Sequence, residues 1–179
     1  MSAMNPSPNL FLVGPTGAGK TSIGHRLAAH YGLRFVDLDV EIEARCGTTI
    51  AELFASEGEA GFRARECAHL DEFSLREGIV LATGAGAVLD PGNREALMSR
   101  GTVLMLRVDV DEQLDRLRHD TVRPMLAGGD RRERLASLAD GRNHLYEEIA
   151  DLIFRGRHES VDDAVPRVVA LLDRHWKRT

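Results

Sequence analysis

LFLVGPTGAGKTSIGHRLAAHYG, residues 10–32, sets a short apolar run, a glycine-rich turn and an amphipathic stretch in succession. The run LFLV predicts a strand. Ile23, Leu27 and Tyr31, spaced four apart, predict a helix that Gly32 stops in a left-handed turn. Between them Gly14 to Thr21 fits Gly-x4-Gly-Lys-Ser/Thr, a phosphate-binding loop when strand precedes and helix follows. In such a loop the N–H groups of Gly17, Ala18 and Gly19 and the opening of the helix at Thr21 and Ser22 converge on phosphate oxygens. Lys20 reaches the terminal phosphates, and the Thr21 hydroxyl is offered to magnesium.

Composition sharpens the reading of Lys20. Of 23 basic residues only Lys20 and Lys177 are lysines; the rest are arginines. A chain that uses arginine nearly everywhere keeps a compact point charge in the loop, where a planar fork would not substitute. The net charge of -5 argues against a nucleic-acid partner, which rewards a basic footprint. Cys46 and Cys67 are too few for a disulfide framework or metal cluster and read as reduced thiols. MSAMNPSPN has no basic leader region, and no apolar run is long enough for a membrane span. A cytoplasmic location without a membrane partner is expected.

At 179 residues the chain is expected to form one domain, residues 1–179, able to bury about 70% of its unfolded surface. Apolar runs at Leu10–Val13, Arg34–Val36, Ile79–Ala82, Val103–Val108 and Leu152–Phe154 alternate with amphipathic stretches. That is an α/β pattern with a parallel sheet covered on both faces. Thr49 with Glu52 forms a capping box, Asp90-Pro91 opens another helix, and Val161–Trp176 reads as a terminal helix. Residues 120–130, with Pro124, Gly128 and Gly129, read as a loop.

The chain lacks the Asn-Lys-x-Asp and Asp-x-x-Gly segments of a GTPase switch. Instead FVDLD, residues 35–39, closes the second strand with two acids. Strand alternation predicts Asp37 and Asp39 on one face, at the carboxyl edge where ligands sit in open α/β sheets. One suits a metal and the other a substrate hydroxyl; on spacing alone, Asp39 reads equally well as the cap of the helix VEIEARCG.

FVDLDVEIE (35–43), TIAELFASEGEAGFRARE (49–66), VLATGAGAVLD (80–90), TVRPML (121–126) and GRNHLYEEIAD (141–151) follow the loop in order. Together they resemble shikimate kinase, a small-molecule kinase of the nucleoside monophosphate kinase-like fold. The resemblance implies three α/β/α layers around a five-stranded parallel sheet in the order 2-3-1-4-5, a mobile lid near residues 119–130 and a substrate-binding helical region. It implies a monomer that uses ATP and Mg2+ to phosphorylate the 3-hydroxyl of shikimate. Carried over by residue, Lys20, Asp39 and Arg123 are catalytic, while Thr21 and Asp37 serve the metal. The phosphate-loop residues Gly17 to Ser22 bind ATP together with Arg116, Arg123 and Glu159. Asp39, Arg63, Gly84, Ala85, Gly86 and Arg142 bind the acceptor, with the two arginines on its carboxylate.

Without the resemblance, Arg63 reads as a helix-face partner of Glu59 or Glu66, and Arg142 as a solvated helix residue. Two residues depart from the family pattern: Ala85 replaces a middle glycine and Met125 a leucine. A kinase for another hydroxy acid such as gluconate, or a non-catalytic nucleotide-binding regulator, shares the phosphate loop. The regulator needs none of Asp39, Arg63 and Arg142.

Overall fold

The computed structural model describes residues 7–118 and 130–178. Strands β1 (Leu10–Val13), β2 (Arg34–Asp37), β3 (Ile79–Ala82), β4 (Thr102–Arg107) and β5 (Leu152–Arg155) form one parallel sheet in the order β2-β3-β1-β4-β5. This is the expected topology. The central strands β1 and β3 are buried along their whole length, which is why they read as uninterrupted apolar runs. Their neighbours lie on opposite sides of β1, so the crevice beyond its carboxyl end is the topological switch point.

Helices α1 (Lys20–Tyr31) and α7 (Val161–His175) cover one face over a core that includes Leu10, Leu12, Leu27, Val168 and Leu172. Helices α3 (Ile50–Ser74), α4 (Pro91–Arg100) and α6 (Arg131–Ile149) cover the other, over Phe11, Phe62, Leu70, Leu97 and Tyr146. The short helices α2 (Leu38–Cys46) and α5 (Val110–Arg116) follow β2 and β4. Three layers are therefore present, as the alternation of elements requires.

The capping signals hold where they were read. Thr49 and Glu52 make the reciprocal box at the start of α3, Asp90 caps α4 with Pro91 behind it, and Gly32 closes α1 at φ 67°. One reading is corrected. The second strand ends at Asp37, whose side chain accepts the Val40 N–H and caps α2, so Asp39 lies in the first helical turn. Strand alternation therefore does not relate the two acids, and Asp39 is not the cap. Asp37 meets the first free N–H groups of the helix, so helix geometry begins two residues early. Helix α3 also breaks at Gly58 (φ 71°, ψ 178°), a kink that periodicity did not signal. The expected lid, with Arg123 and Met125, lies outside the described residues apart from its last residue, Asp130, which caps α6.

Candidate active site

At the switch point the loop between β1 and α1 borders a cavity of about 490 Å³. Eleven expected residues line it: Gly17, Gly19, Lys20, Thr21, Ser22, Asp37, Asp39, Gly84, Ala85, Arg116 and Glu159. Gly17 and Gly19 sit at φ 77° and 91°, where a side chain would be strained, and this lets the loop wrap. Ala18 turns inward, buried in the core beneath α1, with its N–H on the Pro15 carbonyl. The Lys20 ammonium donates to the Gly14 and Pro15 carbonyls at 2.6 and 2.9 Å, across the mouth of the loop.

Thr21 Oγ1 donates to Asp37 Oδ2 at 2.7 Å. A hydroxyl and a carboxylate side by side beside a phosphate loop are the hard oxygen donors that magnesium prefers, so this pair fits the ion. Arg116 donates to the Gly17 carbonyl at 2.9 Å and pairs with the buried Glu112. Glu159 lines the same end of the cavity and pairs with Arg167.

Asp39 is the most perturbed acid of the site. Burial pushes its carboxyl up to about 6, the negative charges of Glu66 and Asp37 add to that, and Lys20 and Arg63 pull the other way. Behind it lies a second group built from charged residues in core register. On α3 the buried stripe Phe62, Glu66, Leu70, Phe73 includes one acid; on α6 the stripe Leu135, Arg142, Tyr146, Ile149 includes one base. Arg63 donates to Glu66 at 2.8 Å and approaches Glu59 at 3.5 Å, so the ion pairs read from helix spacing are present. The pair is not a solvated one, because Glu66 is only 1% exposed. Burial raises the Glu66 carboxyl, and Arg63 and Arg142 lower it. Its Oε2 and the Arg63 Nε are buried without a hydrogen-bond partner.

Gly84 and Gly86 are close-approach positions. A Cβ at Gly84 would stand 2.8 Å from Glu66 Oε2 and 3.0 Å from Asp39 Oδ1, and one at Gly86 would collide with the Arg63 guanidinium. Ala85 between them has no positive φ, so its methyl group brings no left-handed strain. Tyr146 donates to the Ala85 carbonyl at 2.6 Å and thereby pins this turn. Glu66 and Tyr146 therefore border the site, where sequence reasoning gave Glu66 only a helix-face ion pair and Tyr146 no role. For Glu66, the signal was an acid at the i+4 position of an apolar stripe.

These observations meet the comparisons with known proteins. The shikimate kinase family model matches residues 16–173. The chain belongs to the shikimate kinase family. A shikimate kinase of Xylella fastidiosa is 43% identical over 176 residues, covering 98% of both chains. One from Halorhodospira halophila is 52% identical over 155 residues, covering 85% of this chain and 88% of its own. The structure of shikimate kinase from Acinetobacter baumannii in complex with shikimate superposes with a TM-score of 0.91 at 40% identity, over 94% of each chain. A deoxyadenosine kinase from M. mycoides (TM-score 0.65, 14% identity) and a gluconokinase from Sinorhizobium meliloti (0.53, 17%) share the fold alone. Membership gives the two-part site its context: a glycine-rich loop in front and a largely buried charged cluster of Arg63, Glu66 and Arg142 behind.

Tyr146→Phe isolates the role of the pinned turn. Burial pushes the Tyr146 hydroxyl up to about 12, so it stays a neutral donor through the working pH range. Its loss leaves the Ala85 carbonyl without that donor. The variant is expected to lose on the order of 1 kcal/mol of stability. It should lower kcat/KM for the acceptor several-fold with ADP affinity unchanged, as measured by steady-state kinetics and calorimetry. A variant with parental acceptor kinetics would remove the turn from the site.

Proposed function

We propose that this chain transfers the γ-phosphoryl group of ATP to the 3-hydroxyl of shikimate, giving shikimate 3-phosphate and ADP on the way to aromatic compounds. The observation that carries the acceptor assignment is Arg63 and Arg142, both converging on the buried Glu66 beside Asp39 and the Gly84–Gly86 turn. A switch or a regulator has no use for two largely buried arginines behind its phosphate loop. A small ring bearing one carboxylate and several hydroxyls does.

Phosphoryl transfer asks the protein mainly for positioning and charge stabilisation. Lys20 leaves the loop carbonyls and neutralises charge on the transferring group, joined by Arg123. Gly17, Gly19, Thr21 and Ser22 present loop and helix N–H groups to the phosphates. Arg116 and Glu159, which line the same cavity, are assigned to the adenine side of ATP. Thr21 and Asp37 would hold the magnesium, which would offset phosphate charge. Asp39 orients the acceptor hydroxyl and takes its proton, a role that a carboxyl near 6 fills in its ionised form at neutral pH. The enzyme acts as a cytoplasmic monomer.

The carboxylate clamp has its own test. Arg63→Ala or Arg142→Ala is expected to cost about 2–5 kcal/mol in kcat/KM for shikimate, because the substrate charge is left poorly paired. Part of the loss falls in kcat, since the clamp also aims the hydroxyl. ADP affinity stays within two-fold. Shikimate methyl ester should be a poor substrate for the parent and lose little more in Arg63→Ala. Equal use of ester and acid by the parent would overturn the clamp.

A further inference from the structure

Strand β5 is the last strand of the sheet, and among the described residues its outer edge has no partner strand. Along that edge, between β5 and α7, runs an open groove of about 720 Å³ outside the nucleotide cavity. Ile153, Ala170 and Leu171 contribute apolar surface, and Arg155, Arg157, Arg167 and Arg174 contribute charge. Arg167, Ala170, Leu171 and Arg174 fall at i, i+3, i+4 and i+7, one stripe of α7.

The chain as a whole is acidic, and its arginines are mostly engaged: Arg26 with Asp162, Arg45 with Glu72, Arg65 with Glu57 and Arg100 with Asp71. In this groove the pattern breaks. Among the described residues, the side chains of Arg155, Arg157 and Arg174 are exposed and make no hydrogen bond or ion pair. Arg167 is fixed in place by Glu159, by the Arg155 carbonyl at 3.4 Å and by its stacking over the Phe154 ring. Of the acids of α7, Asp162 pairs with Arg26, and Asp173 and Asp163 accept hydrogen bonds from Tyr31 and Ser160; none forms an ion pair with Arg155, Arg157 or Arg174.

We propose that this groove is a second anion site, selective for a chain of linked phosphates. Arg174 lies seven residues beyond Arg167 on α7, a rise of about 10 Å, and Arg155 and Arg157 bring two further charges to the groove from the end of β5 and the residues after it. A lone phosphate or carboxylate meets one of them. Linked phosphates carry several charges along a line, and each offers the pair of oxygens that a guanidinium fork takes bidentately. Free polyphosphate and the phosphate chain of a nucleotide share this chemistry.

Calorimetry on the intact protein tests the site, comparing the parent with Arg155→Ser/Arg174→Ser, a pair outside the kinase machinery. With the nucleotide cavity saturated by ADP, inorganic tripolyphosphate is expected to bind the parent with one further site. That affinity weakens as NaCl is raised and falls at least ten-fold in the double variant. If nucleotide is the groove's own occupant, the parent instead takes up two ADP and the double variant one. Identical stoichiometry and affinity of parent and double variant for both ligands would overturn the proposal. So would tighter binding of a hexaglutamate peptide than of tripolyphosphate, which would make the groove an acidic-peptide surface.

Discussion

Replacing Lys20 with alanine is expected to lower kcat/KM on the order of 10³-fold or more, about 4 kcal/mol, the scale on which a pre-aimed donor to a transferring group acts. Arginine at the same position should recover little of it. The Lys20 ammonium fits between the Gly14 and Pro15 carbonyls at 2.6 and 2.9 Å, a space measured for a compact cation on a straight stem. A planar fork would have to displace the loop backbone that also binds phosphate. ADP release in a coupled assay, with circular dichroism confirming an intact fold, separates the cases. Near-parental turnover by Lys20→Arg would remove the point-charge argument and leave the rarity of lysine unexplained.

Asp39→Asn is expected to lose activity and gain stability together. The activity loss, on the order of 10²–10⁴-fold, is that of a missing general base. The stability gain follows from the direction of the carboxyl's shift. Its folded value of about 6 lies above the ordinary aspartate range, because burial and the charges of Glu66 and Asp37 disfavour the ionised form. Ionised Asp39 therefore costs stability fully above the folded value, and the cost fades as pH falls from about 6 towards 4. Asparagine removes it, so the variant should be more stable by about 1–3 kcal/mol at pH 8 and no more stable at pH 4. In thermal unfolding that is a rise of several degrees, present only on the alkaline side. The parent's kcat/KM for shikimate should correspondingly fall about ten-fold per pH unit below about 6. A variant destabilised at pH 8, or a flat acid limb in the parent, would contradict this account of Asp39.

The fold was legible because its signals are local. LFLV, the phosphate loop and the spacing of Ile23, Leu27 and Tyr31 each specify geometry through near neighbours, and the apolar runs of the central strands survive because both their faces are covered. The FVDLD segment shows where that reading fails. Two acids compete to cap one helix, and the choice of Asp37 depends on which side chain meets the Val40 N–H, which spacing does not encode. The proposed clamp rests on the resemblance to a family. Arg63 does make the helix-face ion pair that a bland reading gives it, and what distinguishes that pair is the burial of Glu66 beneath it. Burial of this kind is set by contacts among α3, α6 and the Gly84–Gly86 turn, far apart in sequence. An acid inside the apolar stripe of α3 and a base inside that of α6 were the traces it left.

The account stands most directly on what the enzyme phosphorylates. Coupled ADP release, measured with ATP and Mg2+ against shikimate, gluconate, nucleoside monophosphates and no acceptor, puts every reading of the site in one assay. Rapid turnover with shikimate alone, at a rate at least a hundred-fold above the acceptor-free background, is the expected result. Preferential turnover with gluconate or a nucleoside monophosphate, or ADP release indifferent to all acceptors, would contradict it.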